Sequence, residues 1–239
     1  MSRVLVTGGG SGIGRAVAQD FAQRGHEVTI AGRRISALEE TAQGFDMDCQ
    51  VVDVTDEDAV RSLFNTPFDI VVANAGSGNA MRVVDTPLDV WQNTLNVNLT
   101  GVFLTFREAL RGMQSGGRLI ALASTASLKG GANIAAYAAA KHGVLGLVRS
   151  LAVEVARSGI TCNAVCPGFV DTDMGQAAVT GVMARLDIPR EKAEGMVVSG
   201  NPMRRMITTD EVTAAVRFLA SPEASMVNGH AMSVSGGEI

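Results

Sequence analysis

The chain of 239 residues has a single tyrosine, Tyr137, in the run Ser124-x12-Tyr137-x3-Lys141. Four residues are about one helical turn, so a helix over 136–158 projects the phenol and the ammonium from one face. A free phenol titrates near pH ~10 and is a poor proton donor or acceptor at neutrality. A cation a few ångströms away favours the phenolate and draws that value toward the working range. A serine hydroxyl at the same spot would hydrogen-bond a substrate oxygen. The chemistry would be the movement of a proton on and off a carbonyl or alcohol oxygen. Alone, the pair reads first as a partly buried helical tyrosine with a solvated lysine one turn on, since any long helix can offer it.

The elements that must position these residues alternate along the chain. Apolar, β-branched runs at 3–7, 28–31, 50–52, 69–73, 118–123 and 161–166, with a last one near 231–234, read as strands. Helical patterns fall at 12–24, 35–41, 57–64, 87–111, 136–158 and 209–220. Strands apolar throughout are covered on both faces. The alternation predicts an α/β chain, one Rossmann-type domain over 1–239 with a doubly wound parallel sheet. Residues 171–206 interrupt the pattern with five of the eleven methionines, two prolines and no clear strand. This stretch reads as a helical substrate lid, against ordinary helical packing.

Composition bounds the function. Hydrophobic residues make up 46% and charged residues 18%, as in a compact globular protein. A net charge of −4 gives no basic footprint, so no nucleic-acid partner is expected. There is no signal-like segment and no long apolar run, so a soluble, cytoplasmic protein with no membrane partner is expected. Cys49, Cys162 and Cys166, with His26, His142 and His230, show no metal-ligand spacing. No metal is expected, and the cysteines read as small hydrophobes.

The first strand runs into Thr7-Gly8-Gly9-Gly10-Ser11-Gly12-Ile13-Gly14. The pattern is Thr-Gly-x3-Gly-x-Gly, not Gly-x-Gly-x-x-Gly. Glycines there admit positive φ and let backbone N–H groups approach a pyrophosphate at a helix N-terminus. The other reading is a plain tight turn. After the second strand, where NAD binders usually carry an acid, the chain has Gly32-Arg33-Arg34. A guanidinium matches a phosphate, which favours NADP(H) over NAD(H). Two solvated loop arginines are the alternative.

With these motifs in order, the chain resembles the short-chain dehydrogenase/reductase family over essentially its whole length. Asp53-Val54, Asn74-Ala75-Gly76 and Pro167-Gly168-Phe169-Val170-Asp171-Thr172 match further family positions, as do Asn201-Pro202, Phe218-Leu219-Ala220-Ser221 and Ser235-Gly236-Gly237. The resemblance implies hydride transfer between a nicotinamide and a carbonyl carbon. It assigns Tyr137 as acid/base and Lys141 as the cation that depresses its pKa and bonds the nicotinamide ribose. Ser124 would orient the substrate carbonyl, and Asn98 would anchor a water linking Lys141 to solvent. Taken alone, Asn98 reads as an exposed helical polar residue like Asn93 and Asn96.

Cofactor contacts implied are Thr7, Gly8, Ser11, Gly12, Ile13 and Gly14 at the phosphates, Arg33, Asp53 and Val54 at the adenosine, and Asn74, Ala75 and Gly76 after the fourth strand. Pro167, Gly168, Val170 and Thr172 would hold the nicotinamide carboxamide. The run 137–144 and Cys166-Pro-Gly-Phe-Val170 resemble most the 3-oxoacyl-ACP/CoA reductases and hydroxyacyl-CoA dehydrogenases. A steroid, polyol or cyclic ketone remains the alternative substrate. A non-catalytic dinucleotide-binding sensor is the alternative of another class. Pairing through the helices at 87–111 and 136–158, as a homodimer or homotetramer, is implied by the family alone.

Overall fold

The computed structural model describes residues 1–78 and 80–239. Among them, seven strands form one sheet: β1 (Arg3–Thr7), β2 (Glu27–Gly32), β3 (Met47–Val51), β4 (Ile70–Ala73), β5 (Arg118–Leu122), β6 (Thr161–Pro167) and β7 (Ala231–Val234). The order is β3-β2-β1-β4-β5-β6-β7, and every neighbouring pair is parallel. After β3 the chain crosses back to lay β4 beside β1. The crevice beyond the C-terminal ends of β1 and β4 is therefore the switch point where such sheets bind ligands.

Side chains alternate between the two faces of the sheet. Val4, Val6, Ile30 and Val72 pack with Val17 and Phe21 of α1 (Gly12–Gln23), Leu38 of α2 (Ile35–Ala42) and Val216 and Leu219 of α9 (Thr209–Ala220). Leu5, Val71, Leu119 and Ala121 pack on the other face. There they meet Val60 of α3 (Glu57–Ser62), Phe106 of α5 (Gly101–Leu110) and Val148 of α6 (Ala135–Val155). Both faces are dry, which is why the strands read as apolar runs.

Three elements differ from their sequence reading. The third strand is Met47–Val51, not 50–52. As an edge strand it pairs on one side only, and Asp48 and Gln50 interrupt its apolar run. The helix expected over 87–111 is α4 (Leu88–Leu95), a π turn at Asn96–Thr100, and α5. Its hydrophobic period continues through the turn and conceals it. Residues 171–206 hold α7 (Asp173–Leu186) and α8 (Arg190–Val197). The two ends of that segment are pinned side by side: Ile207 N–H donates to Phe169 O at 2.9 Å and Asp171 N–H to Ile207 O at 2.8 Å. Among the described residues, no helix is long and apolar enough to cross a membrane.

Candidate active site

The phosphate loop is shaped by close approach. Gly8 has φ +67°, and its N–H donates to Ala31 O at 2.7 Å, binding the loop to β2. A methyl group on Gly14 would fall inside the van der Waals radii of Gly8 O and Asn74 Nδ2, so the helix can start this close to the loop only with glycine there. Ser11 is the N-cap of α1 but makes no side-chain cap, and the first turn carries no acid. The positive end of the helix thus lacks an anionic partner of its own and fits a phosphate. Ile13 turns its side chain to the core, leaving only its backbone for such a ligand.

Several of the expected contacts hold the loop instead of facing outward. Thr7 Oγ1 accepts from Asn74 N–H at 3.1 Å and Ala75 N–H at 3.2 Å. The Asn74 amide donates to Thr7 O at 3.0 Å and Gly8 O at 3.1 Å. These bonds lock the ends of β1 and β4 at the switch point. Arg33 is exposed just past β2, and among the described residues neither it nor Arg34 forms an ion pair. The Asp53 carboxyl is held below its usual range, first by the Thr55 N–H and further by the Thr55 hydroxyl and the Arg33 charge. The Val54 side chain packs in the core against Gly101, so only its backbone is available to an adenine.

Ser124, Tyr137 and Lys141 meet beyond the end of β5. Ser124 caps a 3-10 turn at Thr125–Ser127: its hydroxyl oxygen accepts from Ala126 N–H at 3.1 Å, while Ser127 Oγ accepts from Ser124 N–H at 3.2 Å. That reciprocal box fixes the Ser124 oxygen and leaves its proton to donate. Tyr137 lies in the first turn of α6. Lys141 follows one turn on, with Nζ 5.6 Å from the phenol ring centroid and donating to Leu122 O at 2.8 Å. Lys141 is only 4% exposed. Burial pushes its ammonium down to about 8, against a smaller opposing effect of Cys166.

Tyr137 departs from expectation. Burial raises its phenol above the ordinary value, and the hydrogen bond with Ser124 draws it back. The Lys141 ammonium lies 5.6 Å from the ring centroid and spends one of its bonds on the Leu122 carbonyl.

Asn98 is fully buried and lies within the π turn. Its amide donates to Ser77 O at 2.8 Å and Thr94 O at 3.0 Å, and its Oδ1 accepts from Ser77 N–H at 3.2 Å. A methyl on Gly76 would stand 2.9 Å from Asn98 Oδ1 and 3.7 Å from Lys141 Nζ, so these three meet around one point.

Pro167 ends β6, and Gly168 N–H donates to Val234 O at 3.1 Å. Val170 is buried and bridges Ile207. Thr172 caps α7 and lies 3.1 Å from the position of a Gly12 methyl, closing the two ends of the expected cofactor set on each other. Phe169, Met174, Met196 and Met203 leave an apolar surface exposed on this side. Sequence reading missed Ser77 and the Leu122 carbonyl, which act through backbone atoms and leave no signal. It also missed Ser127, for which Ser-x2-Ser was a legible cap.

A family model described as Enoyl-(Acyl carrier protein) reductase matches residues 8–238. The 3-oxoacyl-[acyl-carrier-protein] reductase MabA of Mycobacterium avium is 37% identical over 98% of this chain and 88% of its own. A variant of actinorhodin polyketide ketoreductase, crystallised with NADPH, superposes with a TM-score of 0.92 at 31% identity, covering 99% of this chain and 96% of that one. A levodione reductase gives a TM-score of 0.90 at 33% identity, with the same coverage of 99% and 96%.

Proposed function

Because the chain belongs to the short-chain dehydrogenase/reductase family, we propose that it is an NADPH-dependent reductase of 3-oxoacyl thioesters, with Ser124, Tyr137 and Lys141 as catalytic residues. That it is an NAD(P)-dependent oxidoreductase follows from the family. The observation that carries the finer reading is the convergence of two hydroxyls, Ser124 and Tyr137, with a buried cation behind the phenol. Two hydroxyl donors suit a carbonyl oxygen, which has lone pairs to receive them; the carbons of an isolated double bond have none.

When bound, the dinucleotide supplies the hydride. Ser124, its oxygen held by Ala126 N–H, donates to the substrate oxygen and orients it. Tyr137 is protonated at neutral pH, the form needed to give a proton as charge develops on that oxygen. The Lys141 ammonium then stabilises the phenolate left behind, and its two remaining N–H donors are available to ribose hydroxyls. Asn98 Oδ1 accepts one protein bond and keeps a lone pair for the water that would link Lys141 to solvent.

The thioester reading is supported by the names of the relatives and by the methionine-rich surface of α7 and α8, which suits an acyl chain as the face of a lid. The likeness to a levodione reductase supports reduction of a cyclic ketone as the second reading. Exposed Arg33, without an acid beside it on β2, supports NADPH, as does the NADPH in the actinorhodin ketoreductase crystal. A cytoplasmic homodimer or homotetramer, joined through α4, α5 and α6 where Phe103 and Val153 are exposed, completes the proposal.

The test is initial rates with NADPH and NADH on acetoacetyl-CoA and on a cyclic diketone, for wild type and Arg33→Ala. Arg33→Ala should raise KM for NADPH roughly tenfold or more and leave NADH within about twofold. Turnover of the diketone alone would replace the thioester reading. Equal losses with both cofactors would remove Arg33 from the phosphate.

A further inference from the structure

We infer that Glu238, in the last turn of the chain, is a positioning residue that clasps the loops around the substrate side of the active site. The inference rests on the proposed site.

The Glu238 carboxylate is largely buried, its side chain 12% exposed, and its Oε1 pairs with Lys129 Nζ at 3.0 Å. Lys129 stands five residues after Ser124, and its N–H donates to Thr125 O at 3.1 Å, so it belongs to the turn that fixes the Ser124 hydroxyl. The other carboxylate oxygen faces the loop after β6: a methyl on Gly168 would lie 2.8 Å from Glu238 Oε2. A methyl on Gly200, at the exit of the α7–α8 segment, would lie 3.6 Å from the same carboxyl group. One carboxylate therefore pairs with one segment and stands beside two others, each bordering the site and each from a different part of the chain.

Chemistry favours positioning over general packing. A carboxylate removed from water needs a charged or hydrogen-bonding partner, and Lys129 is its one ion-pair partner among the described residues. The ends of the α7–α8 segment are tied to each other by the Val170–Ile207 bridge, but the Ser124 turn has no backbone bond to that segment among those described. The Lys129–Glu238 pair supplies the connection.

The test compares wild type with Glu238→Gln, Lys129→Glu and the exchanged pair Lys129→Glu/Glu238→Lys. Glu238→Gln keeps the side-chain shape and removes the charge. A partly exposed pair of this kind predicts a fall in kcat/KM for the carbonyl substrate of about fivefold. The thermal midpoint should stay within about 2 °C of wild type, since Glu238 lies outside both hydrophobic clusters. The exchanged pair should recover at least half of the loss.

Hydrogen exchange reads the clasp without turnover. Peptides covering 125–131 and 168–172 should lose protection in Glu238→Gln, with the strands unchanged. If kinetics and protection of both peptides match wild type, or if the exchanged pair recovers nothing, the clasp is refuted. Wild type inactive on every carbonyl tried, with protection lost in the variant, would sink the proposed activity and leave the clasp standing.

Discussion

Replacing Lys141 by methionine tests the electrostatics at the centre of the site. The lysine is buried, and among the described residues its ammonium has one acceptor, the Leu122 carbonyl. Its value falls from 10.5 to about 8 in the folded protein, with burial the largest cause. Between those values the unfolded chain binds more protons than the native one, so wild-type stability rises with pH across that window. At about 1.4 kcal/mol per pH unit the full span is roughly 3 kcal/mol, of which about 2 should be realised by pH 9.5. Methionine has a similar unbranched stem and no charge, so its curve lacks this contribution, while the titrations of Tyr137, Cys162 and Cys166 largely cancel in the difference. Urea unfolding of both proteins at pH 7 and pH 9.5, without dinucleotide, measures it. Wild type should gain about 2 kcal/mol on the variant. A difference constant to within about 0.5 kcal/mol would show the ammonium as well solvated in the fold as outside it, and the argument for a desolvated cation behind Tyr137 would fail.

Two glycines predict opposite outcomes for the same substitution. Gly14→Ala adds a methyl that collides with Gly8 O and Asn74 Nδ2, groups that cannot withdraw without opening the β1–β4 junction. It should lower stability by about 2 kcal/mol or more and weaken dinucleotide binding at least ~10-fold, by denaturant titration and fluorescence; a variant as stable as wild type would show that the loop yields. Gly146, in the middle of α6, has open space where a methyl would go. There Gly146→Ala should raise stability by about 1 kcal/mol. A loss, together with a change in sedimentation, would show that another subunit closes on α6.

The parts of the site legible in the sequence were those in which one residue type at one spacing does the chemistry. The glycine loop directly after β1 and the Ser124/Tyr137/Lys141 spacing are of this kind, and the alternating apolar runs placed both on a parallel sheet. What stayed hidden depended on backbone groups and on residues distant in the chain. The π turn at Asn96–Thr100, which holds the buried Asn98, breaks no apolar period. Lys141 was expected at the phenol, but a carbonyl at the end of β5 captures one of its bonds, and the phenol rises where depression was expected. Asp48 in an edge strand obscured β3 because exposure on one side removes the apolar signature. Glu238 follows Ser235-Gly236-Gly237, which was read only as a family match, and its partner Lys129 lies 109 residues away.

The central claim is that Tyr137 gives and takes the proton of a carbonyl oxygen at a dinucleotide site. Tyr137→Phe removes one oxygen and leaves the ring that packs against Gly78 and Lys141. The measurement is NADPH affinity by fluorescence beside kcat on a substrate that wild type reduces. Affinity should stay within about threefold of wild type while kcat falls at least ~100-fold. A variant that binds NADPH and keeps kcat within about tenfold would contradict it, since another group would then be supplying the proton.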